Sequence, residues 1–226
     1  VLLTGGDPLI MSTSKLAPII QKVREIDHVK VIRIGTKIPA FNPYRILNDP
    51  SLHEMIQTYS TGEKKIYIMA HFNHPRELTP VAVEGLNMLM QSGAIVVNQT
   101  PMIQGVNDDP DVLAELFNKL SYMGIPPYYV FLCRPTLGNE TFSVPIETGY
   151  EIFEKARAKC SGLAKRARLV MSHETGKIEV VGVSEGQVFF KYNRSADSEN
   201  DSKFLVFESN PEAYWFDDYE EASLEL

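Results

Sequence analysis

The chain has 226 residues, 44% of them hydrophobic and 23% charged, as is typical of a globular domain that can bury a sizeable core. Its formal net charge of −7 argues against nucleic acid as a partner, because proteins that bind a phosphate backbone usually carry a basic surface. The apolar runs are short and the first residues do not resemble a signal peptide, so we expect no membrane segment. These properties favour a small-molecule site.

The two cysteines, Cys133 and Cys160, lie far apart in the sequence. They form no Cys-x-x-Cys pair, so neither a disulfide framework nor a complete metal site is predicted, and a reducing, cytoplasmic location fits best.

Short apolar runs alternate along most of the chain with amphipathic segments of about ten to fifteen residues, the pattern of parallel strands connected by helices. The predicted strands are Val1–Leu3, Val29–Ile34, Lys65–Met69, Ala94–Asn98 and Tyr128–Leu132. The predicted helices run from Ser14 to Ile26, from Pro50 to Tyr59, from Pro80 towards Gly93, from Pro110 towards Gly124 and from Pro145 to Lys159. Thr79 and Asp109 precede prolines and are expected to cap their helices. The sequence thus predicts five strand–helix units in a first domain, residues 1–162.

The segment after Gly162 has the pattern of antiparallel strands separated by polar turns. The predicted strands are Arg168–Met171, Lys177–Val183, Gln187–Tyr192 and Lys203–Glu208. The last stretch, Tyr214 to Leu226, mixes aromatic and acidic residues and is predicted to be either a docking arm at an oligomer interface or a frayed acidic tail. Residues 163–226 are therefore predicted to form a second, smaller β domain.

Polar or glycine-rich sequence follows every predicted parallel strand, and active sites of parallel α/β folds lie at these carboxyl ends. The strand ends are Thr4-Gly5-Gly6-Asp7-Pro8, Arg33-Ile34-Gly35-Thr36-Lys37, His71-Phe72-Asn73-His74-Pro75, Asn98-Gln99-Thr100 and Cys133-Arg134-Pro135. Paired glycines let backbone groups approach a ligand closely, although Gly5-Gly6 could also be a plain βα connection. His71 and His74 lack the spacing of a helical zinc pair, so a hydrogen-bonding or structural role is favoured over a metal site.

These strand-end motifs, together with Gly105-Val106-Asn107-Asp108 and Pro127-Tyr128-Tyr129, occur in the same order and at similar spacing in lysine 2,3-aminomutases. From residue 1 to about residue 160 the chain resembles this radical S-adenosylmethionine family. The resemblance implies a partial (βα)6 barrel, with the first βα unit missing here and a small carboxy-terminal antiparallel β region. It also implies S-adenosylmethionine, a 4Fe-4S cluster and pyridoxal phosphate as cofactors, and an amino acid as substrate.

The resemblance also implies roles for particular residues. Gly5, Gly6 and Asp7 would lie at the methionyl amine of S-adenosylmethionine, and Thr36, His71 and Gln99 would make further cofactor contacts. Lys177, in the turn Thr175-Gly176-Lys177, corresponds to the lysine that carries pyridoxal phosphate, although a lysine in a turn is ordinarily a solvated surface residue. Phe131 stands where the family has a tyrosine near the cofactor, so stacking is kept and a hydroxyl contact is lost.

The chain departs from the family in its cysteines. The family's Cys-x-x-x-Cys-x-x-Cys run, which ligates the cluster, precedes the glycine motif and does not occur in this sequence. Because Val1 begins within a predicted strand, we expect a truncated amino terminus rather than an evolved loss of the cluster. The chain by itself is then expected to be inactive.

A second departure concerns the substrate. Where lysine-specific members place acidic residues to receive the distal ammonium, this chain has Arg134 and Ser172. A guanidinium repels an ammonium and can clamp a carboxylate, so the sequence favours glutamate or another acidic amino acid. Alternatively, Arg134 pairs with a structural acid such as Glu140.

The sequence therefore predicts an amino-acid 2,3-aminomutase that moves an α-amino group to the β-carbon. Its expected partners are an electron donor such as flavodoxin or ferredoxin and further copies of itself in a homo-oligomer. Two alternatives remain at this point: a radical S-adenosylmethionine enzyme without pyridoxal phosphate, and a cluster-free barrel without enzymatic activity.

Overall fold

A computed structural model of the chain describes residues 1–219 and divides into two compact units, Val1–Gln99 and Thr100–Leu226. The strands are β1 (Leu2–Leu3), β2 (Val31–Thr36), β3 (Lys65–His71), β4 (Ile95–Pro101), β5 (Pro127–Phe131), β6 (Arg168–His173), β7 (Gly176–Ser184), β8 (Gln187–Ser195) and β9 (Phe204–Glu208). The α-helices are α1 (Thr13–Arg24), α2 (Ile38–Phe41), α3 (Tyr44–Leu47), α4 (Pro50–Tyr59), α5 (Pro80–Gln91), α6 (Pro110–Tyr122) and α7 (Ile146–Ala158). The predicted α/β class, with parallel strands followed by antiparallel ones, is confirmed.

The first unit is a parallel sheet in which β2 pairs with both β1 and β3, and β3 pairs with β4. The inner positions of β2 and β3, such as Ile32, Ile34, Ile66 and Ile68, are fully buried, as expected for strands covered by helices. Thr79 caps α5 as predicted, because its Oγ1 accepts a hydrogen bond of 3.2 Å from the Ala82 N–H. The connection from β2 to β3 contains α2 and α3 in addition to the predicted α4.

In the second unit β5 and β6 are parallel, and β6, β7, β8 and β9 form an antiparallel succession. Asp109 caps α6 through its side chain, which accepts the Asp111 N–H at 2.7 Å. Arg168–Met171 was predicted to belong to the antiparallel region, and it forms β6. This strand pairs antiparallel with β7, as predicted, but in parallel with β5. The parallel pairing is possible because α7 supplies the crossover between β5 and β6. The apolar pattern of Arg168–Met171 fits a strand in either direction.

The division between the compact units falls after Gln99, within the residues of β4. The sequence instead places its domain boundary after residue 162, where helices give way to antiparallel strands. The two divisions rest on different criteria, and the boundary at residue 162 stays a prediction.

The segment from Tyr214 to Tyr219 is neither a projecting arm nor a frayed end. Trp215 and Tyr219 are buried, and Phe216 packs edge-on against Phe190 and Phe207 at centroid distances of 5.3 and 5.5 Å. The segment thus covers the antiparallel sheet of its own unit. The rest of the predicted tail, residues 220–226, lies outside the described residues.

Candidate functional site

The first unit collects polar groups at the carboxyl ends of β1, β2 and β3, where Asp7 is the central acceptor. One oxygen of its carboxylate accepts the Leu9 N–H at 3.0 Å, and the other accepts the Thr36 hydroxyl at 2.9 Å and the Lys37 N–H at 2.6 Å. Asp7 and Thr36, two of the predicted site residues, are therefore brought together, and they tie the end of β1 to the end of β2. Their predicted contacts with a cofactor stay predictions.

Gly5 and Gly6 precede this carboxylate with φ values of +90° and +56°, which glycine adopts without steric cost. A Cβ placed on either residue would meet no atom within 4 Å. Both glycines border an open cleft of about 420 Å³. The backbone at this strand end is thus accessible to a ligand, as the sequence predicts.

Lys37 extends the network to β3. Its Nζ donates to the His71 carbonyl at 3.2 Å and to Glu77 at 2.8 Å. Burial opposes ionisation of Glu77, yet the bonds from Lys37 and from the backbone N–H groups of Asn73 and His74 hold its pKa below the ordinary value. The pairing of Lys37 with Glu77 was not predicted from the sequence, because an ion pair between residues 40 positions apart has no local signal.

His71 lies beside Gln99 across the β3–β4 ladder. Burial, followed by the positive charge of Lys37, lowers the pKa of His71 to about 4, so the imidazole is neutral at pH 7. Its Nε2 is buried and has no hydrogen-bond partner among residues 1–219. An orphaned ring nitrogen of this kind is costly unless a ligand satisfies it, so His71 fits the predicted cofactor contact. That role stays a prediction.

The depressed pKa of His71 predicts a pH dependence of stability. Between the ordinary pKa of 6.5 and the folded value of about 4, the unfolded chain binds more protons than the folded one, so stability falls as the pH falls through this window. At about 1.4 kcal/mol per pKa unit, the loss amounts to about 3 kcal/mol. We expect urea unfolding at pH 7, 5.5 and 4 to show this fall in the free energy of unfolding for the parent protein. In His71→Gln this contribution should be absent. An equal loss of unfolding free energy in the parent protein and in His71→Gln would contradict the assignment to His71.

In the second unit, Lys177 lies at the centre of a group of aromatic and hydroxyl side chains. Its Nζ is 4.5 Å from the centroid of the Phe131 ring and 4.6 Å from that of Tyr129, within the range of cation–π attraction. The same nitrogen lies 3.3 Å from the Ser172 Oγ. The structure thus brings together three predicted residues, Phe131, Ser172 and Lys177, in a lysine pocket completed by Tyr129.

Strand geometry accounts for the lysine pocket. Ser172 and Lys177 are directly paired across the β6–β7 ladder and therefore point to the same face of the sheet. Tyr129 and Phe131 are two residues apart in β5, and this spacing also places them on one face. Lys177 is the second residue of β7, in agreement with the predicted strand Lys177–Val183, and the turn before it is formed by Glu174 and Thr175.

Tyr129 was missed as a member of the lysine pocket, although the alternation Tyr-x-Phe in a predicted strand was a usable signal. Burial raises the pKa of Tyr129 above its ordinary range, so its hydroxyl remains protonated and able to donate. The two rings lie 5.5 Å apart at an angle of 59°. Tyr129 thus supplies a phenol near Lys177, although the phenol predicted from the family at position 131 is replaced by a phenyl ring.

Arg134 lies in the exposed loop after β5. Its carbonyl accepts the Asn139 side-chain amide at 2.7 Å, and its guanidinium forms no ion pair within residues 1–219. The alternative of a pair with Glu140 is not observed, since Glu140 instead accepts the Gly138 N–H at 3.0 Å. Arg134 is therefore available to a ligand, and its role in substrate binding stays a prediction.

The cysteines do not fit a cluster site. Cys133 donates to the Met102 carbonyl at 3.1 Å and Cys160 lies 3.9 Å from that of Ala114. Burial raises the pKa of both thiols, whereas iron–sulfur ligation requires thiolates. Within residues 1–219 no three histidine, cysteine or acidic side chains converge to hold a metal ion. In the same range, no helix has the length and apolar character needed to cross a membrane.

Comparison with known proteins identifies the family. A protein of Aquifex aeolicus that is provisionally named L-lysine 2,3-aminomutase is 53% identical over 98% of this chain and 59% of its own length. The L-lysine 2,3-aminomutase of Fusobacterium nucleatum is 42% identical over 73% of this chain and 37% of its own. The glutamate 2,3-aminomutase of Clostridioides difficile is 32% identical over 78% of this chain and 40% of its own.

The chain belongs to the lysine 2,3-aminomutase-like radical S-adenosylmethionine family, as the strand-end motifs predicted. It spans less than two thirds of the length of these relatives. No protein-family model matches the chain. Among solved structures, a domain of a pyruvate-formate lyase-activating enzyme from Bacteroides vulgatus has a TM-score of 0.49 and 12% identity over 75% of this chain and 97% of that domain, a likeness too weak to bear on function.

Proposed function

We propose that the chain is part of a radical S-adenosylmethionine, pyridoxal phosphate-dependent amino-acid 2,3-aminomutase. The observation that carries this proposal is the lysine pocket, in which the Lys177 amine lies over two aromatic rings and beside a hydroxyl. A solvated surface lysine would lack these neighbours. The family membership, which includes relatives named for both lysine and glutamate, supports the same conclusion.

The residues of the lysine pocket fit pyridoxal phosphate. Lys177 is a primary amine that can hold the cofactor covalently, and Phe131 and Tyr129 present faces against which a pyridine ring can stack. When bound, the cofactor supplies an electron sink that allows an amino group to move between neighbouring carbons. Lys177 is half-buried and Ser172 is exposed, so a ligand can reach the amine from solvent.

The residues at the carboxyl ends of β1 to β4 fit S-adenosylmethionine. The accessible backbone at Gly5 and Gly6 can receive polar groups of an amino-acid moiety, and the orphaned His71 Nε2 can donate to or accept from a ligand. When reductively cleaved, this cofactor supplies a radical that abstracts hydrogen. Within residues 1–219 no set of side chains converges to ligate the cluster that this cleavage requires. The electron donor, flavodoxin or ferredoxin, and the homo-oligomer stay predictions.

The test is an anaerobic assay of the gene product at its natural length, with reductant, S-adenosylmethionine and pyridoxal phosphate. Carbon-13-labelled glutamate, aspartate and lysine are supplied separately, and the β-amino product is followed by NMR. Formation of a β-amino acid that stops in Lys177→Ala supports the proposal. Cleavage of S-adenosylmethionine that is equally active in Lys177→Ala would favour an enzyme without pyridoxal phosphate.

The same assay tests the substrate, for which Arg134 motivates a preference for acids. A carboxylate gains a charge-assisted bond from a guanidinium, whereas an ammonium beside it loses about 1–4 kcal/mol by repulsion. We therefore expect kcat/KM for glutamate to exceed that for lysine about tenfold or more, and Arg134→Asp to narrow or reverse the ratio. Arg166→Asp, which makes the same change at another exposed arginine, serves as the control. Preference for lysine in the unmodified enzyme would show that Arg134 does not meet the substrate.

A further inference from the structure

A buried histidine side chain, that of His173, lies on the face of the β6–β7 hairpin opposite to the lysine pocket. His173 pairs with Gly176 across the β6–β7 ladder, one step from the Ser172–Lys177 pair, so its side chain points away from the lysine pocket. Only 5% of the His173 side chain is exposed. Its ring packs against the edge of Phe216 at 5.4 Å. His173 thus anchors the turn between Ser172 and Lys177 to the segment Tyr214–Tyr219.

The hydrogen bonds of His173 have a defined direction. The Thr175 N–H donates to Nδ1 at 3.2 Å, so Nδ1 carries no proton and a neutral ring must carry its proton on Nε2. Nε2 therefore donates to the Asp217 carboxylate, whose two oxygens both lie 3.1 Å away. On the Nδ1 side, the Thr175 hydroxyl oxygen lies 2.7 Å from Nδ1 and 2.8 Å from the Tyr192 hydroxyl oxygen. The chain Tyr192, Thr175, His173, Asp217 is thus a continuous relay of hydrogen bonds.

The carboxylate end of this relay is itself fixed. The Asp218 carboxylate accepts the N–H groups of Tyr214 and Trp215, both at 2.9 Å, and the Asp218 carbonyl accepts the Asn210 amide at 3.0 Å. The Tyr219 hydroxyl reaches Glu147 on α7 at 3.2 Å. Asp217 is therefore presented to His173 by a segment that is anchored on both sides, although its own side chain is 66% exposed.

We propose that His173 and Asp217 are positioning residues for Lys177: they fix the β6–β7 hairpin so that the lysine amine stays over the rings of Tyr129 and Phe131. This inference rests on the proposed function of Lys177 as the lysine that holds pyridoxal phosphate. Neither residue touches the lysine pocket, since both act through the backbone of Thr175 and Gly176. Without the Asp217 carboxylate, His173 loses the acceptor that sets its proton on Nε2, and the Thr175 N–H loses a fixed partner.

The first readout is independent of any cofactor. Hydrogen exchange of the Thr175 amide reports directly on its bond to Nδ1. We expect Asp217→Ala to accelerate this exchange at least tenfold, and Asp217→Asn, which keeps an oxygen acceptor, to restore most of the protection. Asp27→Asn, an exposed carboxylate distant in sequence, is the control. Because Asp217 is largely exposed, the variants should fold, and an unchanged thermal midpoint checks this.

The second readout is capture of pyridoxal phosphate on Lys177, trapped with borohydride at successive times and measured on the isolated peptide. We expect capture to slow about tenfold in Asp217→Ala and to recover in Asp217→Asn. The positioning role would be overturned if Asp217→Ala exchanged its Thr175 amide as slowly as the parent protein, or captured pyridoxal phosphate on Lys177 as fast. If instead the parent protein forms no adduct on Lys177 while exchange responds as expected, the proposed function fails and the hydrogen-bond relay stands.

Discussion

Replacing Lys177 by alanine should abolish stable binding of pyridoxal phosphate. The amine is the only covalent attachment point that the lysine pocket offers among the described side chains, and noncovalent stacking on Phe131 and Tyr129 is worth only about 1 kcal/mol for each aromatic contact. We expect the yellow chromophore to disappear and the dissociation constant to rise at least a hundredfold. The measurement is titration followed by absorbance near the imine band.

The matched control is Lys191→Ala, which removes an amine from the neighbouring strand β8, where Lys191 pairs with Glu179. This variant should bind pyridoxal phosphate as the parent does. A chromophore that survives in Lys177→Ala and vanishes in Lys191→Ala would assign the cofactor to Lys191 instead of Lys177.

Replacing Gly176 by alanine should have the second large effect, because the residue combines an unusual conformation with a close backbone approach. Its φ is +147°, and an added Cβ would overlap the Arg194 carbonyl oxygen and lie 2.8 Å from the Ser195 Cα. Backbone atoms cannot yield as a flexible side chain does. Strain at such φ values costs about 1–3 kcal/mol, and displacement of β8 adds to it. We expect a loss of about 2–4 kcal/mol in the free energy of unfolding.

Gly186→Ala is the control for Gly176→Ala. Gly186 also has a positive φ, +78°, in the next hairpin, but an added Cβ there meets nothing within 4 Å. It should cost about 1 kcal/mol through φ strain alone. Urea unfolding of both variants measures the difference. Equal losses would show that the approach of Arg194 does not constrain the hairpin that carries Lys177.

Much of the fold could be predicted because local signals were strong. Thr79-Pro80 and Asp109-Pro110 mark helix starts through cap chemistry, and both caps are observed. The apolar runs located every strand to within a few residues. The direction of β6 could not be predicted, since a strand's apolar pattern does not depend on whether its neighbour is parallel or antiparallel.

The candidate site was predictable only in part. Phe131, Ser172 and Lys177 could be assigned by resemblance, and the structure brings them together. The Lys37–Glu77 pair and the His173–Asp217 contact join residues 40 and 44 positions apart, and no local pattern indicates such contacts. The burial that leaves the His71 Nε2 without a partner is likewise a tertiary property.

The most direct test of the central claim is peptide mapping of the unmodified chain after incubation with pyridoxal phosphate and reduction with borohydride. The chain contains several other lysines, of which Lys165 and Lys191 are the nearest alternatives in sequence. We predict one dominant modified peptide, the one that contains Lys177. Dominant modification of Lys165 or Lys191, or an even distribution over surface lysines, would contradict the assignment of Lys177 as the residue that binds pyridoxal phosphate.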